Sequence, residues 1–335
     1  MRIGVTYDLR SDYRAMGYGE EETAEFDSEV TIDAICDALT SLGWQVTRIG
    51  NVKALVEGLV AGERWEAVFN FCEGLKGFAR EAQVPALLDA YDIPYVFSDA
   101  LTLALTLDKS MAKRVVRDCG IPTPDFAVIE RAADIRNVSL PYPLFLKPVA
   151  EGSGKGVNAK SKVGNAAALK RVATELLARF QQPVLVETFL PGREFTVGVL
   201  GTCDDARVLG VSEIVPKESW VGDGYGFENK DGNWQEKVNI IGAEPASAKA
   251  AGKVALAAWR ALRCRDGGRV DIRNDASGQP HFMEVNPVAG LRPGHSDMCF
   301  IAVREGLTYR DLIGRIMESF LKRNPALGSR LRVAA

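Results

Sequence analysis

Histidine is nearly absent from these 335 residues: only His281 and His295 occur. With so little imidazole, no Ser/His/Asp or Cys/His arrangement is in view, so covalent catalysis through a triad is not the expected chemistry. The six cysteines (36, 72, 119, 203, 264 and 299) are scattered, without a C-x-x-C pair or the spacing of a structural zinc site, and read as reduced thiols. No apolar stretch is long enough to cross a bilayer, and no charged n-region precedes an apolar h-region, which sets the expectation of a cytoplasmic protein without a membrane partner. A sustained Lys/Arg run is also missing and the formal net charge is -3. Nothing electrostatic therefore favours nucleic acid, and a small-molecule substrate is the default.

What remains is ordinary globular composition, 47% hydrophobic and 25% charged, at a length that suits two or three packed α/β units. Arg2 to Tyr7 reads as a strand, residues 27–42 as a helix closed by Gly43, 44–49 as a strand, 52–60 as a helix and 67–71 as a strand. This alternation predicts a parallel sheet with right-handed crossovers, ending near Ser98. Residues 100–119 read as a helix stopped by Gly120 and two prolines. Short β runs at 144–147 and 156–159 flank a Gly-rich segment, a helix capped by Asn165 follows to Phe180, and a buried strand at 184–187 is expected to open a third sheet continued by 194–200 and 208–215. The aperiodic stretch 216–237 has the length and composition of a lid. A helix over 246–263 and strands near 269–274 and 281–286 complete the pattern. The predicted units are 1–98, 99–183 and 184–325.

Two constellations carry chemistry. Gly152-Ser153-Gly154-Lys155-Gly156 lacks P-loop spacing and opens no helix, so alone it is as readily a hairpin tip. Lys147, at the end of the apolar strand just before it, is well placed to neutralise phosphate while loop N–H groups bond the oxygens. Asp271, Glu284 and Asn286 form the second set. Glu284 and Asn286, at i and i+2, share a strand face, and two carboxylates with an amide oxygen suit Mg²⁺. A solvated strand face is the alternative; acidic residues in apolar strands favour a cationic partner.

The ordered set Leu107-Asp-Lys109, Gly120-Ile-Pro-Thr-Pro124, Phe145-Leu-Lys-Pro148, Glu151-Gly-Ser153, Val186-Glu187, Gly192-Arg-Glu-Phe195, Arg269-Val-Asp271 and Glu284-Val-Asn286 resembles the D-alanine-D-alanine ligase branch of the ATP-grasp enzymes. The likeness runs from about Arg2 to about Ile316. It implies an α/β (α+β) ATP-grasp architecture: an N-terminal parallel-sheet domain and two sub-domains enclosing an ATP cleft. It further implies that Lys109, Lys147, Gly152 and Ser153 meet ATP phosphates, that Glu187 and the backbone near Leu190 hold adenine, and that Glu194 holds ribose. Asp271, Glu284 and Asn286 would bind two Mg²⁺ ions, with Mn²⁺ as a substitute. Arg269 would stabilise developing charge, Lys230 would reach the γ-phosphate from the lid, and Gly290, Arg292 and Ser296 would contact the acceptor substrate. The implied activity is amide-bond formation between a carboxylate and an amino-acid amine through an acyl-phosphate, as in peptidoglycan synthesis, by a homodimer.

Several features depart from the family pattern around the amino-acid sites. A His-Gly segment is replaced by Asn70-Phe-Cys-Glu-Gly74, Asp231 stands where a tyrosine follows the lid lysine, and the loop after Asn286 includes Arg292, a residue suited to bidentate carboxylate recognition. Glu25, Asp27 or Glu29 would hold the donor amine, a charge at a helix start being the equal alternative. A ligase with another acyl or amine substrate, and a non-catalytic nucleotide-binding module, are the alternative functions. Intact metal ligands and both lysines argue against the last.

Overall fold

The computed structural model describes residues 1–217 and 237–334; Lys230 and Asp231, and with them the expected lid, lie outside the described residues. The first sheet is parallel, in the order β2 (Gln45–Gly50), β1 (Arg2–Tyr7), β3 (Ala67–Phe71), β4 (Tyr95–Val96). All five residues of β3 are buried, as expected of a parallel strand covered on both faces. Ile32, Ile35 and Leu39 on the helix Glu29–Ser41 are buried at helical spacing, and Gly43 after it has φ +90, a conformation that favours glycine.

The second sheet is β5 (Phe126–Ile129), β8 (Val184–Thr188), β6 (Leu144–Pro148), β7 (Lys162–Val163), all antiparallel. Val184–Thr188 is thus an interior strand of this sheet, bonded to β5 and β6, and not the first strand of the third. A burial pattern identifies a strand without its neighbours, so this pairing was beyond the periodicity. The short strand expected at 156–159 is also absent. Gly156 turns there with φ +74, and a side chain would meet Pro148 at 2.6 Å, so the chain pairs with β6 only from Lys162.

The third sheet runs β11 (Val238–Gly242), β10 (Arg207–Pro216), β9 (Glu194–Leu200), β12 (Gly267–Asn274), β13 (Pro280–Asn286). The helix Pro245–Ala261 packs on one face through fully buried Trp259. On the other side, Leu312, Ile316 and Phe320 of the helix Tyr309–Arg323 join Ile3, Val5 and Phe69 in one hydrophobic cluster. The C-terminal helices therefore weld the first and third sheets. A polar knot secures the weld: fully buried Asp266 pairs with Arg323 at 2.7 Å and accepts hydrogen bonds from the Phe97 backbone N–H at 2.8 Å and Ser319 Oγ at 2.9 Å. No helix among the described residues is long and apolar enough to cross a membrane.

Candidate active site

Four separated stretches meet where the second and third sheets face each other. The expected helix over 100–119 is in fact two, Ala100–Leu107 and Lys109–Asp118. Asp108 breaks it: its backbone is extended at ψ 98, and its carboxylate accepts from the N–H groups of Ser110 and Met111, capping the second helix. The break puts Lys109 on the first turn, where its ammonium donates to the Glu151 carbonyl and stands 3.6 Å from Glu284 Oε2. From β6, Lys147 reaches the same Glu284 oxygen at 3.9 Å and Glu187 on β8 at 3.1 Å.

Glu187 is 1% exposed and bridges two lysines, because Lys113 Nζ lies 2.5 Å from its other oxygen. Burial alone would raise this carboxyl, but Lys113 and Lys147 outweigh it and hold the group below the usual range. Burial pushes the Lys113 ammonium down to about 8 despite Glu187, and its remaining donors meet Thr123 Oγ1 at 2.9 Å and the Phe282 carbonyl at 3.2 Å. Lys147 keeps a raised value because Glu187 and Glu284 together overcome its burial. Lys113 was not among the residues singled out from the sequence. Its position four after Lys109, on one helix face, is the signal that could have found it.

On the opposite wall, Asp271 of β12 and Glu284 of β13 are direct cross-strand partners, and Arg269 pairs with Asn286 in the same ladder. Cross-strand partners share a face, so both carboxylates and the Asn286 amide point into the cleft. Thr196 Oγ1 donates to Asp271 Oδ1 at 2.9 Å. Arg269 is clamped by Asp297 at 2.5 Å and Asp271 at 3.5 Å; Asp297, first residue of the helix Asp297–Arg304, is a positioning group not among the residues singled out from the sequence. The oxygen donors fit a hard divalent cation. The buried Asn286 amide nitrogen has no hydrogen-bond partner among the described residues; as a donor it suits an anionic oxygen such as a phosphate's, leaving the amide oxygen for a cation. The same residues include no group of three His, Cys, Asp or Glu that could hold a metal by itself, so phosphate and water would complete the coordination.

Two cavities open from this junction. The smaller is lined in part by apolar Phe145, Phe189, Leu190 and Met283, side chains that suit the faces of a planar base, and also by Glu194, 3.3 Å from Arg273. The larger, about 500 Å³, is bordered by Gly152 and Ser153, by Gly290, Arg292 and Ser296, and by acidic residues of the first unit. Lys109, Arg269 and Glu284 border both. Ser153 sits at φ 50 on the loop, and Ser296 Oγ accepts the Arg292 N–H at 3.0 Å. His281 bonds the Gln279 carbonyl at 3.0 Å on the surface, whereas His295 borders the larger cavity.

The three acidic residues considered for a donor amine separate clearly. Glu29 pairs with Arg48 at 2.5 Å on the surface. Glu25 borders the cavity but is engaged by Arg80 at 3.1 Å, Lys155 at 3.3 Å and the Gly152 N–H. Asp27 borders the cavity and is pushed up to about 6 by burial, against the pull of Arg10 and Arg292.

Residues 115–318 match the family described as D-ala D-ala ligase C-terminus. A protein of Xanthomonas axonopodis pv. citri named D-alanine-D-alanine ligase is 33% identical over 293 residues, covering 86% of this chain and 88% of the relative. One of the same name from Bordetella pertussis is 37% identical over 322 residues, 94% of each chain. The crystal structure of D-alanine-D-alanine ligase from Bacillus anthracis complexed with ATP superposes with a TM-score of 0.72 at 21% identity, covering 97% of this chain and 99% of that one; the fold is shared.

Proposed function

Because the chain belongs to the D-alanine-D-alanine ligase family, we propose that it joins two amino acids, D-alanine with D-alanine in the reading its relatives' names support, by spending ATP to activate one carboxylate. The carrying observation is that Lys109, Arg269 and Glu284 border both cavities at once. A nucleotide in the smaller cavity thus aims its terminal phosphate at a carboxylate in the larger.

A carboxylate is a poor acyl donor because its oxygen leaves badly. Transfer of the terminal phosphoryl group to that oxygen gives an acyl-phosphate, whose phosphate leaves readily when an amine attacks. Lys109 and Lys147 would hold the phosphates, Ser153 and the Gly152 backbone would cover them, and Arg269, locked by Asp297, would stabilise the oxyanion of the tetrahedral species. Glu187 and Leu190 would hold the base and Glu194 the ribose. A divalent cation, taken to be Mg²⁺, held by Asp271, Glu284 and Asn286 would neutralise charge on the phosphates. Asp27 would receive the donor ammonium, while Gly290, Arg292 and Ser296 receive the acceptor carboxylate. Lys230 would act from the segment between the described parts. A homodimer in the cytoplasm is the expected setting.

The test is phosphate release by the full chain with ATP, magnesium and single amino acids, with product mass measured. Amino-acid-dependent phosphate and a dipeptide are expected. ATP turnover indifferent to every amino acid would refute the reading, and no turnover with any amino acid would favour a non-catalytic nucleotide-binding module.

A further inference from the structure

The first unit contributes more negative charge to the larger cavity than one ammonium needs. Asp8, at the end of β1, fixes part of this wall: its carboxylate accepts the N–H groups of Glu73 at 3.1 Å and Gly74 at 2.9 Å and the Tyr13 hydroxyl at 2.5 Å. Gly74 has φ +72, and a side chain there would meet the Arg80 carbonyl at 2.6 Å. The turn carrying Glu73 is therefore packed tightly on the 3-10 turn carrying Glu81. Both carboxylates border the cavity.

The cations nearby make their direct contacts with other groups. Arg80 spans Glu25 at 3.1 Å and the Ala150 carbonyl at 2.9 Å, Lys155 is held by Glu25 and Glu151, and Lys109 faces Glu284. Neither Glu73 nor Glu81 forms a side-chain hydrogen bond or ion pair among the described residues. Burial raises both carboxyls, with neighbouring Glu81, Glu25 and Asp27 adding to the shift of Glu73, against the pull of Arg80 on both and of Lys109 on Glu81. Such a pair is relieved by a cation entering with the ligand.

Resting on the ligase reading, we propose that the donor site takes, besides alanine, an amino acid with a second cationic group on its side chain, a diamino or guanidino acid, held by Glu73 and Glu81 while Asp27 holds the α-ammonium. Glu73 and Glu81 are then specificity-determining residues. Glu73 lies in the stretch 70–74 where the family's His-Gly segment is replaced, and Glu81 is on the turn Arg80–Ala82 packed against it.

The experiment offers the full chain ATP, magnesium, D-alanine as acceptor, and either D-lysine or D-norleucine as donor; the two donors have the same carbon chain and differ by the terminal ammonium. Product order is read by tandem mass spectrometry. A lysine-first product, with kcat/KM about tenfold or more above norleucine, is expected from one desolvated charge pair. Glu73→Gln and Glu81→Gln should each cut the lysine-to-norleucine ratio several-fold. A ratio near one in the wild type, or lysine found only in the second position, overturns the proposal while D-alanine turnover leaves the ligase reading standing. Phosphate release that no amino acid alters, with no dipeptide formed, would remove both.

Discussion

Glu187→Gln tests the electrostatic heart of the cleft. At an effective dielectric of about 20, contacts of 2.5 Å to Lys113 and 3.1 Å to Lys147 correspond to gross attractions of about 7 and about 5 kcal/mol. Most of that offsets the desolvation of three buried charges. The observable cost of removing the central carboxylate is the penalty of two ammonium groups left facing each other, about 3–5 kcal/mol for a broken buried pair. Thr123 and the Phe282 carbonyl still bond Lys113, which favours the lower end. By calorimetry this is a fall in melting temperature on the order of 10 °C at pH 7. The sign with pH is also fixed. Without Glu187 the folded pKa of Lys113 falls further below its unfolded value and Lys147 loses the main group that raises it, so the variant gains stability relative to wild type as pH rises toward the unfolded value of about 10.4. The gap to wild type should narrow toward pH 10, and Lys113→Met in the Glu187→Gln background should recover part of the loss. A melting temperature within about 2 °C of wild type, or a gap that widens with pH, would refute the reasoning.

Glu284→Gln should lower turnover by at least about a hundredfold, as loss of a transition-state charge contact does, with melting unchanged within a few degrees; wild-type turnover would remove its place at the phosphate. Asp27, raised to about 6, must be ionised to receive an ammonium, so KM for the donor amino acid should climb as pH falls through 6, and Asp27→Asn should abolish that limb; an unchanged pH profile would exclude the role. Asp266→Ala strands Arg323 and the Phe97 N–H in the weld between the first and third sheets and should cost about 3–5 kcal/mol. Urea or thermal unfolding indistinguishable from wild type would show the knot to be dispensable.

Much of this site was legible because its residues recur in a fixed order along the chain. Lys147, late in an apolar strand, and Asp271 and Glu284, acidic within apolar strands, stand out by residue type and position, whereas Lys109 and Arg269 are marked only by the ordered motifs that resemble the family. The parallel first sheet followed likewise from strict strand-helix alternation. What escaped reading was set by tertiary partners. Lys113 looks like a solvated helix lysine until Glu187 arrives from 74 positions later, and it is fully buried. Val184–Thr188 announces a buried strand but not its neighbours, so its sheet was misassigned. The helix break at Asp108 competes with good helix formers on both sides, and its carboxylate, by accepting the Ser110 and Met111 N–H groups, caps the second helix and leaves Lys109 on its first turn. Glu73 and Glu81 gain meaning only when Asp8 and Gly74 fold their turns against one cavity wall.

The transferred phosphoryl group can be followed directly. With the donor amino acid labelled by ¹⁸O in its carboxylate, activation as an acyl-phosphate moves one carboxylate oxygen into the inorganic phosphate released on amide formation. Mass spectrometry of that phosphate should show a single ¹⁸O, at a level matching the dipeptide formed. Unlabelled phosphate accompanying dipeptide would contradict the juxtaposition of nucleotide and carboxylate across Lys109, Arg269 and Glu284.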